Sequence, residues 1–470
     1  AILAQGRQGA GGCGSRLIGA MSGGGRSPPL APESQCGHAR VRLAGTMVAL
    51  SVAVICFGII VPMLPEVQIE YFRRATDCRL SGETACASQA STAYGITQSL
   101  SSLGVLLLSP YYGKHSDSHG RRPFLCAGLF AQVLPFLALC TWNKDVRLFY
   151  VLQALAGFAP APNAILFTVV ADRVSPTERL QSFGCGAACI FAAFSLGAGF
   201  SALLQPLLGA GGLLRASTFT AVAASVVAMV LLPETLPAGN QHEQPRVVRS
   251  KSLARILVVP DSSRNEELLR SIAAVGLLSL LPEAGTTTIA LFYAKARLHL
   301  SEQEVSSLGA HMFCIVGAGG FLWQTVGIAG LRRLCPSTLW VYQVALVANL
   351  LHMLGYVVLW APWVLLLNAA FAGGPLAQPT ILRGLVSEAL PADVQGYGSG
   401  VLSSVEAACR VVAPTLFSGL FFAGGEVGMP WLPFGAGTCF VIAGSLLAAS
   451  SFERLGVAEA KAGSESLLAA

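Results

Sequence analysis

Apolar residues in this chain come in long unbroken blocks, unlike the alternation of a half-buried strand or the one-sided stripe of a surface helix. Twelve of these blocks run to about 20 residues, and about 20 residues at 1.5 Å each cross the roughly 30 Å of hydrocarbon in a bilayer. They predict spanning helices at 41–64, 91–109, 123–142, 148–171, 182–204 and 213–232. A second set follows at 271–294, 308–328, 338–360, 363–382, 398–421 and 431–450. The expected fold class is an all-α membrane protein of twelve transmembrane helices in two pseudo-symmetric six-helix halves. The expected organisation is a disordered basic arm at 1–40, one half at 41–233 and a basic linker at 234–270. The second half at 271–452 and a short tail at 453–470 complete it.

Composition agrees with the pattern. Hydrophobic residues make up 53% of the chain, charged residues 11%, and the mean hydropathy is +0.62, whereas soluble domains carry about 25% charged residues. The net charge of +6 is spread over short loops and reads as an orientation signal. With both termini cytoplasmic, about 21 of the basic residues fall on the cytoplasmic side and about 8 on the other, with Arg410 inside a span. The linker alone carries Arg246, Arg249, Lys251 and Arg255. A multi-pass protein with cytoplasmic termini is expected; whether it sits in the plasma membrane or an organelle stays open.

The arm at 1–40 has Arg7, Arg16, Arg26 and Arg40 against Glu33 and no apolar core of a secretory signal. Acid-poor arginine-bearing arms also occur as organelle transit peptides. The chain opens at Ala1 with its first methionine at Met21, so the native start is an open question. Most of the 13 cysteines, such as Cys126, Cys140, Cys185 and Cys314, lie in apolar blocks and act as small hydrophobes. Cys78 and Cys86 share one polar loop, where a bridge is open to formation if that loop faces an oxidising compartment.

An ionisable group near the bilayer centre costs several kcal/mol on most scales, about 2.5–3.5 on insertion scales, and marks the bundle interior. Glu283 sits in the middle of the seventh block, and Glu406 and Arg410 stand at i and i+4 in the eleventh, on one helix face. Glu283 is a candidate to bind solute or a proton. Arg410 either holds an anionic group or keeps Glu406 ionised, or the two form a structural pair. Gln98, Gln132, Asn163, His311, Gln324, Asn349, His352, Asn368 and Gln378 are polar positions in spans, each more often an interhelical hydrogen bond than a ligand contact. Asn163 follows Pro160 and Pro162, where a broken helix frees backbone groups. With Gln98 it joins Glu283, Glu406 and Arg410 as a candidate for the solute or ion pathway.

The two sets resemble each other at one place. Gln181-Ser-Phe-Gly-Cys-Gly186 opens the fifth block and Gln395-Gly-Tyr-Gly-Ser-Gly400 the eleventh, each preceded by a proline and an acid, Pro176 and Glu178, then Pro391 and Asp393. Such duplication of a six-helix unit is a mark of transporters. Between the second and third blocks lies G-K-H-S-D-S-H-G-R-R-P, residues 113–123, a concentration of charge where two helices must reverse. It resembles the loop signature of the major facilitator superfamily, G-x-L-[AS]-D-R-x-G-R-[RK]. Gly113, Ser116, Asp117, Gly120, Arg121 and Arg122 match, while His115 and Ser118 replace the usual leucine and arginine.

Residues 171–184 and 232–237 look like loops of tetracycline-efflux-like members, and L-S-L-L-P-E-A-G at 278–285 resembles the hippocampus-abundant-transcript-like transporters. The resemblance implies alternating access, with Asp117 facing the helix start near Gly398 and Gly400 and Arg121 or Arg122 reaching Asp172. Gln153 stands where the superfamily often has arginine, and Gly197-Ala198-Gly199 where drug antiporters carry Gly-Pro. The first block lacks the acid its relatives tend to carry, so proton antiport does not follow from the resemblance.

No G-x-x-x-x-G-K-[ST] occurs, and the polar segments are too short for a nucleotide-binding domain, so ATP-driven transport is excluded in this chain. The histidines show no spacing for a catalytic or metal cluster. The expected partners are a small-molecule solute and the lipid bilayer, with no nucleic acid, no cofactor and no metal, in a monomer. A transport-inactive sensor or scaffold of the same fold is the alternative.

Overall fold

The computed structural model describes residues 48–75, 83–141, 146–160, 162, 179–231, 264–334, 337–389 and 395–454. The expected arm, most of the linker and the end of the tail lie outside the described residues, as do Asn163 and Asp172. All regular structure among the described residues is helical, as lipid demands of a chain that must pair its own backbone groups. Nine of these helices are long and apolar enough to cross a bilayer.

The first group comprises α1 (Val48–Arg74), α2 (Glu83–His119), α3 (Arg121–Thr141), α4 (Val146–Ala156) and α5 (Arg179–Leu231). The second comprises α6 (Arg264–Leu298), α7 (Glu302–Leu322), α8 (Ile328–Leu334), α9 (Thr338–Val357), α10 (Pro362–Ala369), α11 (Gly373–Ala389), α12 (Gln395–Glu426) and α13 (Leu432–Arg454). A π-helical stretch, Trp323–Gly327, joins α7 to α8, and one turn of 3-10 helix, Ala370–Ala372, joins α10 to α11. α5 changes direction at Gly209, whose φ of 66° suits a residue without a Cβ, so it forms the two limbs that the fifth and sixth blocks predict.

At several boundaries the helices run past their apolar blocks, α2 at both ends among them. α1 runs past Leu64 to the 70s, because Glu70 pairs with Arg73 at 3.2 Å and Arg74 at 2.7 Å on one face while Ile69 is buried on another. α6 begins at Arg264, inside the stretch read as linker. The charged 113–123 segment is mostly helix. α2 continues to His119, Gly120 makes the reversal at φ 96°, and α3 starts at Arg121. α2 itself stays outside the nine because serines, threonines and Gln98 dilute its apolar content, and of these Ser91 and Ser99 meet another helix.

The two groups meet along two seams. On the first, Ser418 Oγ of α12 donates to Ser91 O of α2 at 3.0 Å, and Thr415 and Ser99 hydroxyls lie 2.8 Å apart. On the second, Ser195 Oγ of α5 donates to Cys314 O of α7 at 2.7 Å. Ser306 of α7 also donates to Glu66 of α1. These hydrogen bonds between the groups lie in the half of the molecule that holds Glu66, away from Gly120. That side is called the Glu66 face below, and the other the Gly120 face. Large apolar side chains such as Leu203, Leu207, Phe219 and Val230 point outward, as a lipid-facing surface requires.

Small residues set the first seam. A Cβ on Gly95 would meet the Ser418 side chain and come within 2.7 Å of the Pro414 carbonyl oxygen, so only glycine admits this approach of α2 to α12. Gly95→Ala is expected to cost about 1–3 kcal/mol through overpacking, read as a lower thermal midpoint in detergent. An unchanged midpoint would mean that the seam is looser than described.

Candidate functional site

A polar interior region lies in the second group, around Pro282 of α6. Pro282 lacks an N–H and so leaves the Leu278 carbonyl without its helical donor. Glu283 follows directly. Around it, Asn349 Nδ2 of α9 donates to the Ser279 carbonyl at 3.0 Å, and the Ser279 and Tyr342 hydroxyls are 2.7 Å apart. Gln378 Nε2 of α11 donates to Ala345 O at 3.3 Å. These amides therefore tie α6, α9 and α11 together, the role a lone span amide most often has.

Glu283 and His352 form the ionisable centre. His352 Nε2 of α9 is 3.7 Å from Glu283 Oε2, with side chains 3% and 14% exposed. His352 Nδ1 lies 3.1 Å from the Asn368 carbonyl. A carbonyl oxygen only accepts, so Nδ1 carries a hydrogen and Nε2 is the atom whose protonation can vary. At 3.7 Å the two groups are neighbours without a hydrogen bond, and Glu283 Oε2 has no hydrogen-bond partner. Both groups line a cavity of about 20 Å³ with Thr286, Thr287, Phe313 and Tyr356. That space admits water and no organic solute in this conformation.

A second cavity, of about 30 Å³, opens between the two groups. Gln68 of α1, Tyr94 of α2, Thr287, Thr288 and Phe292 of α6, and Phe313 of α7 line it. Thr287 and Phe313 are common to both cavities. Gln98 Nε2 donates to Tyr94 Oη at 2.6 Å, so the expected pathway residue Gln98 acts by holding the ring that lines the cavity.

The expected pairing of Glu406 with Arg410 does not form. Arg383 Nη2 of α11 approaches Glu406 Oε1 to 2.6 Å, a close ion pair whose N–H direction falls outside that of a linear hydrogen bond. Arg410 is exposed and Cys409, beside it, is buried. Sharing a helix face at i and i+4 did not outweigh an arginine delivered from a neighbouring helix. Arg383 stands one residue past the apolar block that ends at 382, so it read as loop.

In the 113–123 segment, buried Arg121 donates Nη1 to Ser116 Oγ at 2.7 Å, and Arg122 Nη2 donates to Met229 O, at the C-terminal end of α5, at 3.3 Å. A cation on terminal helix carbonyls is favourable. The surroundings of Asp117, Gly113, Gly398 and Gly400 are not described, and the expected partner Asp172 lies outside the described residues. Cys86, near the start of α2, is disulfide-bonded, and Cys78 lies outside the described residues. Among the described residues no group of three or more metal-ligating side chains occurs.

His352 and Asn368 were visible as polar span positions, but nothing in the sequence ties either to Glu283. Gln68 gave no signal, since the charges of Glu66, Glu70, Arg73 and Arg74 around it read as a loop.

The sequence model of the Major Facilitator Superfamily matches residues 46–414. The chain is similar to hippocampus abundant transcript 1 protein of Mus musculus, 22% identical over 70% of this chain and 65% of that protein. It thus spans under two thirds of that relative's length. It is also similar to the class D tetracycline resistance protein of Salmonella ordonez, 26% identical over 77% of this chain and 85% of that one. Among solved structures, the human organic anion transporter MFSD10 (TETRAN) superposes with a TM-score of 0.62 at 20% identity, covering 90% of this chain and all of that one. The nucleoside transporter NupG does so with a TM-score of 0.61 at 10% identity, covering 87% and 98%.

Removing Arg383 leaves Glu406 without its cation. Because both groups keep some solvent contact, Arg383→Met is expected to cost about 1–2 kcal/mol, below the roughly 3–5 of a fully buried pair. Arg410→Met should change thermal stability by less than about 0.5 kcal/mol. The reverse order in thermal unfolding would restore the Glu406–Arg410 pairing.

Proposed function

Because the chain belongs to the major facilitator superfamily, we propose that it is a secondary transporter that moves a small organic solute across a membrane by alternating access. The family consists of non-catalytic transport proteins, so the chain is not an enzyme. The observation that carries the reading is the Glu283–His352 pair, two ionisable groups 3.7 Å apart on the wall of an interior cavity. Such groups are costly in lipid and are retained where ions or solutes pass. In this reading a proton carried by one of the two groups is the coupling ion, taken up on one side and released on the other as the groups of helices rock.

In this reading the two limbs of α5, α2 and α4, whose described part is Val146–Ala156, also cross, making twelve crossings, six in each half; the nine long apolar helices support it. The seams toward the Glu66 face support a conformation closed on that side. The Gly120 face is cytoplasmic in this reading, with both termini. The excess of Lys and Arg there favours it, as does the disulfide at Cys86 on the opposite face, where an oxidising compartment is expected. Gly113, Asp117, Gly120, Arg121, Arg122 and Asp172 form the cytoplasmic switch. Asn163, Glu406 and Arg410 remain candidates for the pathway.

A thermal-shift screen of the purified protein against sugars, amino acids, nucleosides and amphipathic drugs identifies a solute for liposome transport. Glu283→Gln is expected to abolish accumulation driven by a pH gradient while solute exchange across the membrane continues. Undiminished pH-driven accumulation in that variant would contradict proton coupling through this pair.

A further inference from the structure

Gln68 presents an unusual environment. Its side chain is 1% exposed, and neither Nε2 nor Oε1 has a hydrogen-bond partner, although both are fully enclosed. A buried amide left in this condition is destabilising, so native folds keep one where it meets another polar group. Gln68 lies on the wall of the cavity between the two groups of helices.

The rest of that wall defines what fits. The Tyr94 and Phe292 rings, 6.3 Å apart between centroids, and Phe313 supply aromatic surface. The Thr287 and Thr288 hydroxyls donate to the Ala284 carbonyl at 3.1 and 3.3 Å, which leaves their lone pairs as acceptors. Tyr94 Oη is held by Gln98. No lysine, arginine, aspartate or glutamate lines this cavity, and the adjoining one contributes Glu283.

We propose that Gln68 is the specificity-determining residue of a solute subsite for planar, uncharged molecules with a lactam-type edge, in which an N–H and a C=O stand side by side. The primary amide of Gln68 matches that edge atom for atom. Nε2 donates to the lactam carbonyl, and Oε1 accepts from the lactam N–H. The aromatic side chains take the planar body, and the threonine oxygens receive any further N–H. An anionic solute would meet acceptor lone pairs here and the Glu283 carboxyl beyond Thr287, with no cation among the lining residues to offset either. At about 30 Å³ the cavity admits only water in this conformation, so the subsite opens as α1 and α2 move against α6 and α7.

The purpose of the subsite rests on the transport reading, but its chemistry can be tested by binding alone. The full chain, purified in detergent, is titrated with quinolin-2-one, with 1-methylquinolin-2-one, which lacks the N–H, and with quinoline-2-carboxylate, an anion of similar shape. Quinolin-2-one should bind at least about tenfold more tightly than either of the others, since a site built to pair an N–H rejects the analogue without it. Gln68→Met, close in volume to the natural side chain, should bring quinolin-2-one down to the level of its methyl derivative, and Gln68→Leu serves if that variant does not fold. Glu283→Gln should keep the preference for quinolin-2-one over its methyl derivative.

Equal binding of the three probes by the natural protein, or no binding of quinolin-2-one, would overturn the proposal without any variant. So would a preference that survives Gln68→Met, because the amide would then be hydrated only. Probe preference intact in a protein that moves no solute in liposomes would remove the transport reading and leave the subsite standing. Transport without any dependence on Gln68 would do the opposite.

Discussion

The two groups of helices are held to each other by hydroxyl groups and close backbones, and most of the molecule's behaviour depends on that. Lipid tails are as apolar as leucine, so there is no hydrophobic gain in pressing one helix on another within the membrane. Association relies on close packing and interhelical hydrogen bonds, each worth about 1 kcal/mol or less. Ser91, Ser99 and Gly95 on α2 meet Thr415, Ser418 and Pro414 on α12, and Ser195 meets Cys314. Apolar packing accompanies these bonds, since Ile69, Cys86, Ala87 and Ala90 of the first group share one buried cluster with Ile289, Phe292, Phe417 and Phe421 of the second.

Within the second group, the opposite economy applies. α6, α9 and α11 are bound by amides and hydroxyls that reach across helices, with Asn349 on Ser279 and Gln378 on Ala345. Pro282 sits inside this framework, and Glu283 beside it lies near His352. Asn368 fixes the imidazole from behind and leaves one nitrogen for the varying proton. The proposed link between protonation and opening rests on this titratable pair in the wall of a tightly bonded group of helices.

Much of the fold was legible because lipid leaves few choices. A block of 20 apolar residues has to be a helix, and the break at Gly209 fell where the fifth and sixth blocks separate. The sequence misled where helix and hydrocarbon do not coincide. α1 continues past Leu64 on the strength of its Glu70 ion pairs, and the 113–123 segment stays helical to His119 before one glycine turns the chain. Glu283 could be singled out because a lone acid in an apolar block has few bland explanations. Its partner His352 could not, because contacts across helices have no signature in spacing, and for the same reason Arg383 displaced Arg410 as the cation for Glu406. Gln68 was hidden by the charges that surround it in sequence and lie on other faces in the helix.

Reciprocal motion of the two faces is best measured by electron–electron distance spectroscopy on the protein in lipid nanodiscs. One spin-label pair, at Arg74 and Gln303, spans the Glu66 face, and another, at Val227 and Leu334, spans the Gly120 face; all four positions are exposed. Alternating access predicts that a saturating solute or a change of pH populates a state with a longer Arg74–Gln303 distance and a shorter Val227–Leu334 distance. Distances that both stay fixed, or that lengthen together, in protein that binds its solute would contradict it.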